Sequence, residues 1–403
     1  MSLNDTPSSE RLHIGFFGVR NAGKSSLVNA VTGQELSVVS AVRGTTTDPV
    51  RKAMELLPLG PVVVIDTPGM DDAGTLGEKR VRKAREILAR TDLAVLVVDA
   101  CKGAGPMDAA LIHWFEARKL PFVVAYNKAD LLSERPALQE HEIYVSAVTG
   151  ENIHALKEKL GAFARGLGNP RRLVADLLSP GDLTVLVIPL DASAPKGRLI
   201  LPQQQVMRDI LDAHGRFLAC QSTELRQTLE MLPAKPKLVV TDSQAFGSVA
   251  RDTPQEVWLT SFSILMARYK GSLAVQVKGA ARLSSLARGD RVLISEGCTH
   301  HRQCNDIGTV KLPAWIEAFS GAKPEFAFTS GGEFPDDLSG YALVVHCGGC
   351  MLNEAEMRRR VAAAEAAGVP IVNYGVAIAQ MHGILKRSLE PFPEMLRLLE
   401  EAV

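Results

Sequence analysis

The sequence predicts an α/β chain built as several units in series, and three observations carry that reading. Short apolar, β-branched runs alternate with helical patterns along the whole length, as at Leu93 to Val98, Phe122 to Tyr126, Thr184 to Ile188, Leu238 to Val240, Arg291 to Ser295 and Tyr341 to Val345. Alternation at that spacing predicts parallel sheets. A chain of 403 residues exceeds one ordinary core, at about 150 residues per domain. The pattern also breaks twice, at the Gly/Pro-punctuated stretch Gly166-Leu-Gly-Asn-Pro170 and near Thr260, where a run of helical periodicity begins. The expected units are therefore 1–168, 169–259 and 260–403.

The composition is that of a globular protein, with 46% hydrophobic and 22% charged residues. Lys plus Arg and Asp plus Glu balance at 45 each, which supplies no electrostatic argument for a nucleic-acid or anionic membrane partner. The first residues, Met-Ser-Leu-Asn-Asp-Thr-Pro, lack a basic segment followed by an apolar one, and no apolar run approaches the roughly 20 residues of a membrane span. The expectation is a cytoplasmic protein. There its six cysteines would be thiols or metal ligands and not a disulfide framework.

In the first unit, the apolar run His13 to Phe17 leads into Gly18-Val-Arg-Asn21-Ala-Gly23-Lys24-Ser25-Ser26 and then a helical pattern to Thr32. Strand, G-x-x-x-x-G-K-S and helix together predict a phosphate cradle. Backbone N–H groups wrap the phosphates, Lys24 reaches the outer ones, and the Ser25 hydroxyl binds Mg2+. A second strand, Val62 to Ile65, delivers Asp66-Thr-Pro-Gly69, placing an acid for the Mg2+ shell and an N–H for a γ-phosphate. Asn127-Lys128-Ala-Asp130 resembles the guanine-reading motif of translation-factor-like GTPases, in which the Asp accepts two hydrogen bonds from the base and the Asn supports it. Val145-Ser146-Ala147 resembles the last guanine-contacting loop, and Arg43-Gly-Thr-Thr46-Thr-Asp48 resembles switch I of the TrmE-like GTPases. That resemblance implies GTP, γ-phosphate contacts at Lys24, Thr46 and Gly69, and Mg2+ held by Ser25, Thr46 and Asp66. Met70 stands where Ras-like proteins place a water-orienting Gln. By the same resemblance, Asn21 would bind K+, and Glu78, twelve positions after Asp66, would orient the attacking water. The expected enzyme is a slow, K+-stimulated GTPase.

The middle unit alternates strands at Thr184, Phe217 and Leu238 with helices at Gln203 to Ala213 and Thr223 to Leu232, and carries no nucleotide motif. Its polar loop Asp191-Ala-Ser-Ala-Pro-Lys-Gly-Arg198 has no catalytic constellation, and Cys220, at the end of a predicted buried strand, and Cys101 are most simply core thiols.

The last unit holds a split ligand set, Cys298-Thr-His300 and, 46 positions later, His346-Cys347-Gly-Gly-Cys350, each placed just past a predicted strand. Three chemistries suit these residues. A structural zinc would use Cys298, His300, Cys347 and Cys350. A 4Fe-4S cluster on Cys298, Cys347 and Cys350 would leave one iron to His346, His300 or an exchangeable ligand. A redox dithiol would leave the third cysteine without a role. Cys304 fits none of the spacings, and Glu296 and Asp306 are oxygen ligands by proximity only.

The combination of a TrmE-like GTPase unit with Cys-x-His and His-Cys-x-x-Cys resembles the HydF family, the GTPase scaffolds of FeFe-hydrogenase maturation. The resemblance spans the chain, including the middle segment Ala194-Pro-Lys-Gly-Arg-Leu-Ile-Leu-Pro. It implies an N-terminal P-loop GTPase domain, a small parallel α/β dimerisation domain and an α/β iron-sulfur domain. It further implies a 4Fe-4S cluster on the three cysteines, a homodimer, and a transient diiron precursor. That precursor would be built with radical-SAM maturases and passed to apo FeFe-hydrogenase. The competing expectation is a ribosome-assembly or tRNA-modifying GTPase with a zinc-stabilised C-terminal domain, which the neutral composition disfavours.

Overall fold

The computed structural model describes residues 10–34, 50–69, 84–166, 172–189, 199–297, 307–331, 333–349 and 352–402. The chain divides into two compact units, 1–169 and 170–403. Among the described residues no helix is long and apolar enough to cross a membrane.

The first unit is one six-stranded sheet, built from β1 (Leu12–Phe17), β2 (Val50–Leu56), β3 (Gly60–Asp66), β4 (Leu93–Asp99), β5 (Phe122–Asn127) and β6 (Glu142–Tyr144). The strands lie in the order β2-β3-β1-β4-β5-β6. All pairs are parallel except β2 with β3. Strand β2 has no counterpart in the sequence reading, because Val50-Arg-Lys-Ala-Met-Glu-Leu lies on the sheet edge with mostly exposed residues and shows no apolar run. Central strand β4 is buried throughout, so it reads as the continuous apolar run of a strand covered on both faces. Cys101, two residues past its end, is exposed and is not the core thiol expected, whereas Cys220 is partly buried. One face packs Ile14, Phe16, Val62, Val64, Val95 and Val97 with helices α1 (Lys24–Thr32) and, beyond α2 (Pro106–Ala117), α3 (Ile153–Gly166). The other packs Phe17, Val63, Ile65, Leu96 and Val98 against α2 and the helical residues 84–88.

The second unit contains two four-stranded sheets with the same topology. The first comprises β7 (Leu183–Val187), β8 (Arg216–Cys220), β9 (Leu238–Thr241) and β10 (Trp258–Ser261) in the order β10-β9-β7-β8. The second comprises β11 (Arg291–Ser295), β12 (Glu325–Thr329), β13 (Leu343–His346) and β14 (Ile371–Asn373) in the order β12-β11-β13-β14. Numbered within each sheet, both read 2-1-3-4, and all pairs are parallel. The helices of the first are α4 (Leu201–Asp212), α5 (Leu225–Met231), α6 (Phe246–Asp252) and α7 (Phe262–Tyr269). After the connecting α8 (Leu273–Ala280), those of the second are α9 (Leu312–Ser320), α10 (Glu354–Ala366) and α11 (Tyr374–Met381). Two further helices, α12 (Leu385–Ser388) and α13 (Pro393–Ala402), close the chain. The likeness extends to the caps: Ser261 Oγ accepts from Ile264 N at 3.2 Å to start α7, and Asn373 Oδ1 accepts from Val376 N at 2.7 Å to start α11.

One apolar core runs through both halves of this unit, from Leu173 to Leu399. Helices α7 and α11 meet within it, and a Cβ on Gly375 would lie 2.3 Å from Ser263 Cβ. In the second sheet Val292, Ile294, Val345 and Val372 share one face with Leu312 and Ile316 of α9. Leu293, Val344 and Ile371 share the other with Val361 and Ala364 of α10. The helices that follow β11 and β13 therefore lie on opposite faces. Their departure in opposite directions opens a crevice at the C-terminal ends of those two strands, the position where open α/β sheets bind ligands.

Helix α8 lies so close to β14 that a Cβ on Gly279 would fall 2.2 Å from Ile371 O. Substitution Gly279→Val is expected to destabilise the fold by about 1–3 kcal/mol through overpacking, read as a lower urea midpoint with an unchanged slope.

Candidate functional site

The phosphate loop occupies residues 18–23, between β1 and α1. Gly23 caps α1 with φ 88°, and a Cβ there would lie 2.3 Å from Asn127 Nδ2, so neither the backbone nor the space admits a side chain. Lys24 folds back over the loop, its Nζ donating to Gly18 O at 3.0 Å and Val19 O at 2.8 Å. Asn21 takes the left-handed conformation, φ 64°, and its carbonyl accepts from Lys128 Nζ at 2.9 Å. The second partner of Lys128 is Asp99 Oδ2 at 2.6 Å, a residue the sequence did not mark. Asn127 is buried and acts as a staple: its Nδ2 donates to Ala22 O at 3.1 Å, and its Oδ1 accepts from Ala147 N at 3.0 Å. It joins the phosphate loop to the loop at Ser146, whose buried hydroxyl accepts from Thr149 N. Asp130, the residue expected to read guanine, lies in the single turn Ala129–Leu131 and is exposed.

Ser25 Oγ donates to Asp66 Oδ2 at 2.6 Å, while Asp66 Oδ1 is buried and has no hydrogen-bond partner among the described residues. A hydroxyl and an orphaned carboxylate oxygen beside a phosphate cradle are the hard oxygen donors that suit Mg2+. Gly69 passes the same loop closely, and a Cβ there would lie 2.9 Å from Arg20 Cα. Thr46, Met70 and Glu78 lie outside the described residues.

At the crevice of the last sheet, β11 and β13 pair so that Ser295 sits opposite His346, and Cys347 N donates to Ser295 O at 2.9 Å. The Cys347 thiol accepts from two backbone amides, Gly297 N at 3.0 Å and Gly349 N at 3.4 Å. Each donor immediately precedes a predicted ligand, Cys298 and Cys350. Those two, with His300, Cys304 and Asp306, lie outside the described residues, and among the described residues no three His, Cys, Asp or Glu form a metal group. Amides aimed at a sulfur stabilise it as thiolate, the form that binds iron or zinc. Glu296 is tied instead to the Tyr374 hydroxyl at 3.3 Å.

His346 stands differently from its expected place. It is the last residue of β13 and fully buried, not part of the loop beyond. Its Nδ1 meets Cys347 O at 2.6 Å and its Nε2 meets Arg360 Nη1 at 3.0 Å. A carbonyl only accepts and a guanidinium only donates, so Nδ1 carries the proton and Nε2 supplies its lone pair. As placed, the ring offers a metal no free nitrogen. Burial, then the nearby Arg360 charge, push its pKa down to about 3 and keep it neutral.

Arg360 itself is fully buried and was invisible in the sequence. It donates to Glu356 Oε1 at 2.8 Å, Ser295 Oγ at 3.2 Å and Gly331 O at 2.8 Å, and its guanidinium lies 5.0 Å from the Phe334 ring centroid. Burial alone would raise the Glu356 carboxyl, but hydrogen bonds from Arg359 and Arg360 hold it below the usual range. The only sequence signal was the Glu356/Arg360 spacing of four on a helix, which exposed ion pairs share.

A methyl at Gly23 collides with Asn127 and strains the backbone. Gly23→Ala is expected to weaken binding of a fluorescent GDP analogue at least ~10-fold while leaving the far-UV circular dichroism unchanged.

Residues 13–128 match a 50S ribosome-binding GTPase family model, residues 173–271 the hydrogen maturase F dimerization domain, and residues 274–391 the hydrogen maturase F tetramerization domain. The tRNA modification GTPase MnmE of Thiobacillus denitrificans is 35% identical over 155 residues, 38% of this chain and 33% of that protein. MnmE of Xanthomonas oryzae pv. oryzae is 39% identical over 158 residues, 39% of this chain and 35% of that protein. The chain thus spans about a third of the curated relatives it matches. Among solved structures, Era from Aquifex aeolicus matches at 20% identity and TM-score 0.35, covering 62% of this chain and 93% of Era. A probable GTP-binding protein engB matches at 24% and 0.32, covering 38% of this chain and 99% of that one. With two hydrogen maturase F domains matched over more than half its residues behind a P-loop GTPase domain, the chain belongs to the HydF family of TrmE-like GTPases.

Proposed function

We propose that the chain is a GTP-hydrolysing scaffold that holds a 4Fe-4S cluster on Cys298, Cys347 and Cys350 and carries a diiron precursor, made with radical-SAM maturases, to apo FeFe-hydrogenase. The observation that carries this reading is the Cys347 thiol at the crevice between β11 and β13, with its two amide donors each adjacent in sequence to another cysteine. Three thiolates fit a cluster with one iron open to exchange, and a fourth cysteine would close it. Bound there, the cluster supplies an iron able to take up and release an incoming group.

The protein's own residues perform the remaining steps. Ser25 and Asp66 orient Mg2+, Lys24 and the loop amides hold the phosphates, and Asp130 reads guanine while Asn127 keeps its loop against the cradle. Thr46 and Gly69 are the γ-phosphate contacts whose loss on hydrolysis relaxes the switch loops. Asn21 would hold K+ and Glu78 would position water. Assembly runs through the dimerisation domain, and the match of residues 274–391 to a tetramerization domain extends the expected homodimer to a higher oligomer.

Anaerobic reconstitution with iron and sulfide tests the scaffold role. The expected product is a brown protein with about four irons per chain and the EPR signal of a reduced 4Fe-4S cluster, lost in Cys347→Ala; a colourless protein holding one zinc would sink the idea. GTP hydrolysis is expected to run several-fold faster in K+ than in Na+ buffer, and equal rates would remove K+ from the mechanism.

A further inference from the structure

The last sheet protects its two edges unequally. At one edge, β14 is three residues long and helix α8 packs along it, with Gly279 against the Ile371 carbonyl. At the other edge, β12 has β11 as its one strand partner among the described residues. Its sequence, Glu325-Phe-Ala-Phe-Thr329, contains neither the Lys nor the Pro that commonly blunts an exposed edge, and its register with β11 runs without a bulge. That register shows which backbone groups are used. Glu325 N donates to Asp290 O at 2.8 Å and Thr329 O accepts from Glu296 N at 2.9 Å, so residues 325, 327 and 329 face β11. By alternation, the N–H and C=O groups of Phe326 and Phe328 point away from the sheet.

The side chains alternate as well. Phe326 and Phe328 stand beside Val292 and Ile294, on the face covered by α9, and Ala327 stands on the opposite face beside Leu293. Phe326 packs against the core, but Phe328 is 41% exposed. In the stretch matched to the tetramerization domain, the other large apolar side chain so exposed among the described residues is Val310, just ahead of α9. An unpaired ladder and an uncovered aromatic ring thus coincide on one strand.

Resting on the higher oligomer proposed above, we propose that β12 is the surface on which a second copy of this chain docks, strand edge against strand edge. A two-fold axis normal to the sheet presents the same strand twice and makes the two copies run antiparallel. With Ala327 on the axis, Phe326 of one copy stands opposite Phe328 of the other, and the outward N–H and C=O groups of both residues are the ones that bond. Ala327 then meets Ala327 in the closer, non-bonded pairing, where a small side chain fits. Glu325 falls opposite Thr329, so no like charges meet. The phenylalanines of both copies cover one face of the joined strands, which takes Phe328 out of water. The two outer edges of the joined sheet are the β14 edges, each packed against its own α8, so the pairing closes at two copies. Added to association through residues 173–271, it gives four chains.

The test uses the full chain and sedimentation velocity. Wild type is expected to sediment as four chains. Phe328→Lys sets a charge opposite Phe326, and Phe328→Pro removes one outward N–H while leaving the bonds to β11 in place. Both variants are expected to halve the mass, with far-UV circular dichroism unchanged. Ala327→Cys is expected to form a disulfide between copies on mild oxidation that wild type does not form, because the axis brings that residue against its own copy. Wild-type mass in both Phe328 variants, or no link through Ala327→Cys, overturns the docking at β12 while the higher oligomer stands. If wild type is no larger than a dimer, the oligomer and its proposed edge fall together. Should the Phe328 variants fail to fold, the Ala327→Cys link decides alone, since it leaves both phenylalanines in place.

Discussion

A guanidinium with no access to water is tolerated only where its N–H groups find acceptors, and Arg360, with four such bonds, sets that condition for the last sheet. Its partners come from β11, β13, the turn at Gly331 and its own helix α10. Satisfying them at once forces Ser295 and His346 to the same level of the sheet and holds α10 against it. Removing the charged partner of such a group, here Glu356, costs about 3–5 kcal/mol, so the network permits little local adjustment. The Cys347 thiol sits one residue beyond that fixed level, and its placement follows from the network around Arg360.

The two sites depend on their scaffolds in the same way. In the first unit Asn127 is a strand-end side chain whose amide ties two loops across the sheet, and the loop it secures carries the left-handed backbone at Gly23 and Asn21. In the second, a buried side chain again ties a strand end to the neighbouring loop. Both place flexible loops on rigid strand termini, which gives ligand contacts precision without demanding regular structure of the contacting residues.

Much of this was legible in the sequence, for identifiable reasons. The buried strands β4, β5, β9, β11 and β13 announced themselves because both faces are covered and their residues are nearly all apolar. The phosphate loop, Asp66, Asn127 and Cys347 were legible because their chemistry requires particular residue types at short spacings. Strand β10 and helix α11 were not, since Trp258-Leu-Thr-Ser and Tyr374-Gly-Val-Ala offer too few residues of either period. Arg360 was hidden by its charge: an arginine in Arg358-Arg-Arg360 reads as solvated, and only tertiary packing singles it out. His346 was misplaced by one residue, and in a strand that single step exchanges a loop position for a sheet position.

The parallel pairing of Ser295 with His346 also bears on how such a site tolerates change in chain length. Where Ser295 and Cys347 stand relative to each other is set by neighbouring strands, not by the segment that joins them. The stretch carrying α9 and β12 can therefore gain or lose residues at its loops without moving the Cys347 thiol. An insertion between Ser295 and Gly297, or between His346 and Gly349, has no such buffer and would displace an amide that donates to the Cys347 thiol. Among relatives, length variation should gather between the halves of the set and stay out of each half.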